Sequence, residues 1–474
     1  MPAPTEILAH AVRHHEAGRL VEAQACYRLA TRIAPDLAAA HAGLASLLFA
    51  QQSYAEAERC CREALRLEPE SSASLNNLAT VLMKLGRIEE AESAARQALE
   101  FDGQNAGAHN NLANVQLEQD RPEEAEATAR QALQSAPDNA DLRVTLGAAL
   151  HAQLRLDEAR RMYEAVLRDD PQHAVARMNR AVVLLLSGAW ELGWKEYEAR
   201  SQAGGSVPPD FPQPVWEGEP LLGRRILLHS EEGLGDTLHF LRYAAMVRQQ
   251  GGYVLAECPS KLVRLARTVT GVDQVVLRGA TLPDFEVHAP LLSLPRIFAT
   301  TLKTIPGRAP YLAAHPKLCR FWEERLSSTT GLKVGIAWCG NPNQKNDRRR
   351  SLDPALLAPL AEIPNVTLFA LHPGPAPSGI QELSPDSSNV DHTAAMMMNL
   401  DLVITVDTMA AHLAGALARP VWTLLAYVPD FRWLLVREDT PWYQTMRLFR
   451  QPARGDWASV IEHVARELAS QCPR

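Results

Sequence analysis

A period of about 34 residues runs through the N-terminal part of the chain and limits what it can fold into. Pro35, Pro69, Pro137 and Pro171 fall on this grid, with Gly103 at the vacant node. At one fixed offset before each node stands an alanine (Ala23, Ala57, Ala91, Ala125, Ala159). At a second, nearer offset stand Ala30, Ala64, Ala98, Ala132 and Val166, and Gly18 and Gly86 occupy turn positions within their units. Small residues at fixed offsets let two helices approach closely. Proline ends the second helix because it has no N–H to give and clashes with the preceding turn. Five nodes in phase predict stacked helix pairs, none of which buries its apolar face alone. Ala181, Gly188, Gly193 and Tyr197 stay in phase, so a sixth, atypical unit is expected over 174–203. Trp190 and Trp194, one helical turn apart, are expected to seal it against the rest of the chain.

This period with these offsets is the signature of the tetratricopeptide repeat. The expected domain is an α-solenoid over 1–203 with a concave groove for a protein or peptide. Asn76, Asn77, Asn110 and Asn111 recur on first helices one period apart. They could hold a peptide backbone in the groove, or serve hydrogen bonds within the repeats.

Residues 204–220, rich in Gly and Pro, read as a linker pinned through Phe211 and Trp216. Beyond them the pattern changes to alternating strands and helices, which implies parallel sheets. Strands are expected at 225–229, 253–257, 274–277 and 285–288, then at 333–338, 366–371, 402–406 and 421–425. Helices are expected at 237–249, 260–270, 353–361, 393–400 and 457–469. The alternation gives two Rossmann-like domains, 221–330 and 331–474, with a cleft between them.

The sharpest local signal is Leu402 to His412. A β-branched run, Leu402–Val406, stops at Asp407 and Thr408, and Thr408 is a good helix N-cap. Met409 opens a helix, with His412 one turn in on the face of Thr408. A strand running into a helix leaves free N–H groups and a positive dipole end at the sheet's carboxyl edge, a cradle for phosphate. An ordinary capped junction would look the same.

Two further loops would face the cleft. Gly233-Leu-Gly235-Asp236 allows a tight turn, but it lacks the third glycine of a dinucleotide fingerprint, which disfavours a nicotinamide enzyme. Asp236 could be a cap or a general base, with Glu231 and Glu232 as alternates. Asn341, Asn343, Gln344 and Lys345 lie in the second loop, where Lys345 is either a solvated charge or a partner for a leaving diphosphate. There is no D-x-D triplet, so no carboxylate pair dedicated to a metal–diphosphate is indicated.

These segments resemble the heptosyltransferase-like glycosyltransferases of GT-B architecture. The resemblance rests on Gly233-Leu-Gly-Asp236, on the stretch from Gly335 through Trp338 to Lys345, and on Val406-Asp-Thr-Met-Ala-Ala-His412. It implies that Asp236 is the catalytic base and that Asp407, Thr408 and His412 bind the donor's diphosphate. Met409 replaces the family's glycine. Repeats preceding such a unit are similar in arrangement to O-linked N-acetylglucosamine transferases, and Cys339 to Lys345 resembles their C-N-F-N-Q loop, with a shorter spacing to the lysine, which implies that Lys345 binds phosphate. Tyr427 to Trp433 and Pro441 to Tyr443 look like the aromatic-rich loops of bacterial repeat–transferase fusions, and could touch sugar or pack the cleft wall.

The activity so implied is inverting, metal-independent transfer from a nucleotide-diphosphate sugar to an acceptor hydroxyl, on a protein held by the repeats or on a glycolipid. No cofactor is expected beyond the sugar donor. The rival reading is a repeat-based adaptor whose transferase half is degenerate. A net charge of −7 with one short basic cluster, 348–350, argues against nucleic acid. Seven scattered cysteines without a C-x-x-C pair favour a reduced, cytoplasmic chain. No basic-then-apolar leader and no apolar run of about 18 residues is present, so neither signal peptide nor membrane span is expected.

Overall fold

The computed structural model describes residues 3–205, 209–231, 233–306, 309–342, 344, 346–372, 375–382 and 389–471. The chain divides into two compact units, Met1–Arg180 and Ala181–Arg474.

The first unit is an array of antiparallel helix pairs: α1 (Pro4–Glu16) with α2 (Leu20–Ile33), α3 (Ala38–Ala50) with α4 (Tyr54–Leu67), α5 (Ser72–Lys84) with α6 (Ile88–Phe101), α7 (Ala106–Glu118) with α8 (Pro122–Ser135), and α9 (Ala140–Ala152) with α10 (Leu156–Asp169). The alanines on the repeat grid are sealed in its core; Ala23, Ala57, Ala91, Ala125 and Ala159 expose nothing. The turn node on the same grid is left-handed in each pair: Gly18, Gln52, Gly86, Asp120 and Leu154 have φ of 71°, 61°, 74°, 59° and 59°. Three units therefore accept a non-glycine in a conformation that costs about 1 kcal/mol.

A second regularity, on the outer helices, went unread in the sequence. Arg87, Arg121 and Arg155 each precede a second helix and pair with a glutamate in its first turn: Glu90, Glu124 and Glu158. Each also reaches back to a glutamate of the preceding repeat: Glu58, Glu92 and Glu126. Glu92 further accepts from Arg96 and Gln119, and Glu126 from Arg130 and Gln153. Charge ladders thus tie each of these repeats to its neighbour.

The second unit opens within α11 (Ala174–Leu186), which is followed by α12 (Trp190–Tyr197). This break lies upstream of the expected boundary at 203, for a physical reason. Trp190 stacks on Trp442 at 5.4 Å, while Trp194 and Tyr197 meet the edge of Phe431 at 5.6 and 5.5 Å. Arg200, almost fully buried, pairs with Glu231 at 2.8 Å and donates to Ser293 at 2.9 Å. These contacts cement α12 to the α/β part.

Residues 209–220 run along the first sheet. Trp216 is fully buried and its backbone N–H donates to the His288 carbonyl at 2.7 Å, while Phe211 packs on His229, Phe285 and His288.

That sheet is parallel, with order β3-β2-β1-β4, built from β1 (Arg225–His229), β2 (Tyr253–Cys258), β3 (Gln274–Leu277) and β4 (Val287–Pro290). The expected helix at 237–249 is instead α13 (Leu234–Phe240), a 3-10 turn and α14 (Ala244–Gln249). The second sheet contains β5 (Leu332–Ala337), β6 (Val366–Ala370), β7 (Ile380–Gln381), β8 (Leu402–Val406), β9 (Val421–Leu425), β10 (Asp439–Thr440) and β11 (Tyr443–Arg450) in the order β10-β11-β9-β8-β5-β6-β7. Among its described pairings, β10–β11 alone is antiparallel. β11 was missed because its sequence, YQTMRLFR, is polar at half its positions and carries no turn signal of its own. Helices α15 (Val263–Ala266), α16 (Leu294–Ile297), α17 (Pro316–Leu326), α18 (Asp347–Arg350) and α19 (Ala358–Ala361) lie in the intervening connections, and α20 (Val390–Met397), α21 (Met409–Ala416) and α22 (Trp457–Gln471) complete the helices of the second unit.

Strand order reverses beside β1 in the first sheet and between β5 and β8 in the second. The crevice outside the carboxyl ends at such switch points is where open α/β sheets take ligands. The loops that leave β1, β5 and β8 carry the candidate residues.

Candidate active site

β1 buries Ile226 to His229 and ends at Ser230, whose hydroxyl accepts from Arg278 at 2.6 Å. Glu231, the alternate base, is committed to Arg200; Glu232 lies outside the described residues. The chain then turns into α13 with Gly233, not Asp236, as its N-cap. Asp236 is the third helical residue, and its carboxylate bonds back to the Gly233 backbone, as an N3 acid does in a capping box. Gly233 has an ordinary φ of −70°, and a Cβ there would meet Asp236 Oδ2 at 3.7 Å and Gln344 Nε2 at 3.8 Å. The turn thus does not need this glycine's freedom, and the β5 loop stands directly beside it.

Gly235 is different. A Cβ on it would stand 3.0 Å from His412 Cδ2 and 3.6 Å from Met409 Cα. Its lack of a side chain lets the first turns of α13 and α21 pack together, which brings Asp236 and the β8 loop to one place. Thr408 caps α21, its Oγ1 accepting from Ala410 N at 3.4 Å. Met409 is half-buried as the first helical residue; His412 is buried one turn in, its ring stacked on Trp433 at 5.4 Å.

The charges here were largely unread in the sequence. Arg432, buried, pairs with Asp236 and, at 2.9 Å, with Asp430. Arg350 donates to the Asp407 carbonyl at 3.1 Å and pairs with Asp347 at 3.2 Å. Asp347 is buried and also accepts from the Ser351 hydroxyl, so the β5 loop folds back on itself. A Cβ on Gly340 would stand 2.3 Å from Asp347 Oδ1 and 2.8 Å from an Arg350 guanidinium nitrogen, so a side chain there would displace this ion pair.

Desolvation raises the Asp236 carboxyl above the usual carboxylate range and Asp430 adds to it, against the pull of Arg432. Asp407 is raised further, to about 7, by desolvation and by Asp430, against Arg432 and Arg350. Burial, reinforced by Arg432, Arg242 and Arg350, keeps His412 neutral. The site therefore holds two acids above their ordinary range, two arginines and a neutral imidazole at the mouths of three strands.

Asn341 is exposed, its carbonyl accepting from Gln344 N at 2.9 Å, whereas Asn343 and Lys345 lie outside the described residues. Arg350 was visible only as one member of a basic triplet, and Arg432 and Asp430 only as part of an aromatic loop. A lone D-x-R between aromatics was the available signal. That loop packs and pairs: Phe431 on Trp194, Arg432 on Asp236, Trp433 on His412.

The four groove asparagines lie in the first unit. Asn111 Nδ2 donates to Asn76 Oδ1 at 2.7 Å and to Thr80 Oγ1 at 2.8 Å, and Thr145 Oγ1 donates to Asn110 Oδ1 at 2.6 Å. Three of the four are thus used between neighbouring first helices; Asn77 is half-buried.

Comparison with known proteins bears on the repeats. Residues 36–104, 76–140 and 116–182 each match a family model described as tetratricopeptide repeat. The N-terminal region consists of tetratricopeptide repeats. A curated relative, protein FlbA of Caulobacter vibrioides, is 26% identical over 324 residues, covering 61% of this chain and 54% of its own. The matched share is more than residues 1–203 supply, so the likeness reaches the α/β part; the chain spans about half the relative's length. Among solved structures, the repeat protein TTC0263 of Thermus thermophilus is similar at 23% identity and a TM-score of 0.35, covering 39% of this chain and 100% of that one. PilF of Pseudomonas aeruginosa is similar at 21% identity and a TM-score of 0.35, covering 42% and 87%. The repeats give the chain a protein-interaction role. No helix among the described residues is long and apolar enough to cross a membrane.

Proposed function

We propose that the α/β part is a GT-B glycosyltransferase that moves a sugar from a nucleotide-diphosphate donor to an acceptor hydroxyl with inversion and without a metal. The acceptor is a protein bound by the repeats. The observation that carries this reading is the meeting of Asp236 with the Thr408–His412 helix start at the carboxyl ends of two switch-point strands. The acceptor oxygen bonds to the anomeric carbon from the face opposite the diphosphate. The bond from that carbon to the phosphate oxygen breaks with its electron pair on the diphosphate, and the acceptor proton passes to Asp236. A carboxyl held above its ordinary range by burial is a better base than a solvated one. Thr408, the α21 N-terminus, His412, Arg350 and Lys345 stabilise the departing charge.

The test needs no identified acceptor, because water can stand in for it. Wild type and Asp236→Asn are incubated with UDP-, GDP- and ADP-linked sugars, and nucleotide release is followed. One donor should be hydrolysed by wild type and about 100-fold more slowly by the variant.

The second reading, an adaptor with a degenerate transferase half, is favoured by Met409 and by the close packing of its backbone on Gly235. A folded wild type that releases nucleotide from no donor supports it.

A further inference from the structure

Tyr443, the first residue of β11, is buried, and its hydroxyl lies 2.9 Å from His239 Nδ1 and 3.0 Å from His412 Nδ1. Arg242 lies 4.5 Å over the Tyr443 ring and donates to Trp442 O and His239 O, both at 2.8 Å. Both imidazoles are neutral. Burial is the main cause, and the charges of Arg242 and Arg432 add to it at each ring. A neutral imidazole donates at one nitrogen and accepts at the other, and a tyrosine hydroxyl has one proton to give.

The surroundings decide where those protons sit. His239 Nε2 is sealed without a partner among the described residues, so a proton there would be a stranded donor. His239 therefore carries its proton on Nδ1 and donates to Tyr443. The hydroxyl proton then goes to His412 Nδ1, which leaves the His412 proton on Nε2. That edge of the ring lies against Gly235, next in the chain to Asp236, and, unlike His239 Nε2, His412 Nε2 is not sealed without a partner. The competing arrangement has both rings donating and the hydroxyl turned to Tyr311. The Tyr311 hydroxyl donates to the Leu238 carbonyl at 2.9 Å and accepts from Arg242 at 3.4 Å, and a phenolic oxygen beside that charge is a weaker acceptor than a neutral imidazole nitrogen, so the Tyr443 proton goes to His412.

We infer that Tyr443 is a positioning residue that fixes His412 as the Nε2–H tautomer and so presents a neutral donor to an oxyanion beside Asp236. The identity of that oxyanion, a donor phosphate oxygen, rests on the proposed function. The proton arrangement is a property of the free protein.

The test is nitrogen NMR of the full chain with ¹⁵N-labelled histidine, assigned by loss of signals in His412→Gln and His239→Gln. His412 is expected with a protonated Nε2 and a bare Nδ1, His239 with the reverse, and both unchanged between pH 6 and pH 8. In Tyr443→Phe, His412 is expected to average between tautomers. His412 found as the Nδ1–H form, as an imidazolium at pH 7, or unaltered in Tyr443→Phe overturns the inference. If Tyr443→Phe does not fold, the wild-type tautomers decide alone. Inorganic pyrophosphate, added as a probe, should shift the His412 Nε2 resonance. With the expected tautomer but no such shift, the diphosphate reading falls and the positioning role stands.

Discussion

Asp407 and Asp236 are carboxylates whose burial works against their own ionisation. A carboxyl raised in the folded chain binds its proton more tightly there than when unfolded. Its contribution to stability is full below the ordinary carboxylate range and is lost as pH climbs through its folded value. For Asp407 that value is about 7. Asp407→Asn should therefore change the melting temperature little at about pH 3.5, raise it in part at about pH 5.5 and most at about pH 8.5; an equal effect at all three would place its origin elsewhere. Asp236 follows the same sign, with Arg432 as the opposing charge. Replacing Arg432 by Met removes that charge and should move the acid limb of the turnover–pH profile upward. None of this was legible beforehand. Sequence marks where a strand stops and a helix starts, but not which charges from distant loops close over the junction.

At the scale of elements, the repeat helices were legible because each period of the grid leaves the same alanine at the same closest approach. The left-handed turn node gives a paired prediction. Gln52→Gly should be neutral to stabilising, whereas Gly86→Val should cost about 1 kcal/mol, both measured by urea denaturation of the full chain. The ladders carry the opposite pH dependence to Asp407. Burial resists the ionisation of Glu92, but Arg121, Gln119 and Arg96 outweigh it and lower its pKa to about 2. Its contribution is thus present above about pH 4.3 and lost as pH falls toward 2. Glu92→Gln should flatten that part of the acid-unfolding curve. In the α/β part, Arg450 gives three hydrogen bonds to the carbonyls of Trp433, Leu434 and Arg437, at 2.6, 2.9 and 3.0 Å. It thereby holds Leu434 at a φ of 53°. Arg450→Met should strand those carbonyls, cost about 2 kcal/mol or more, and open residues 431–437 first to hydrogen exchange.

For the whole molecule, composition and periodicity distinguished a helical repeat from an α/β part. They placed most strands within a residue or two, because buried parallel strands are apolar runs bounded by turns. The edge of the second sheet escaped, since β10 is two polar residues and β11 is polar at half its positions, as did the tie of α12 to the α/β part, which tertiary packing alone creates. The site was half legible: Asp236, Thr408 and His412 could be read from local patterns, while Arg350, Arg432 and Tyr443 could not. The central claim is that the α/β part holds a nucleoside diphosphate. Thermal unfolding of the full chain with UDP, GDP, ADP and CDP, in wild type and in Lys345→Ala, tests it most directly. One nucleotide at about 100 times its dissociation constant should stabilise wild type by about 2.7 kcal/mol and leave the variant unshifted. A wild type unmoved by all four at millimolar concentration would contradict the claim.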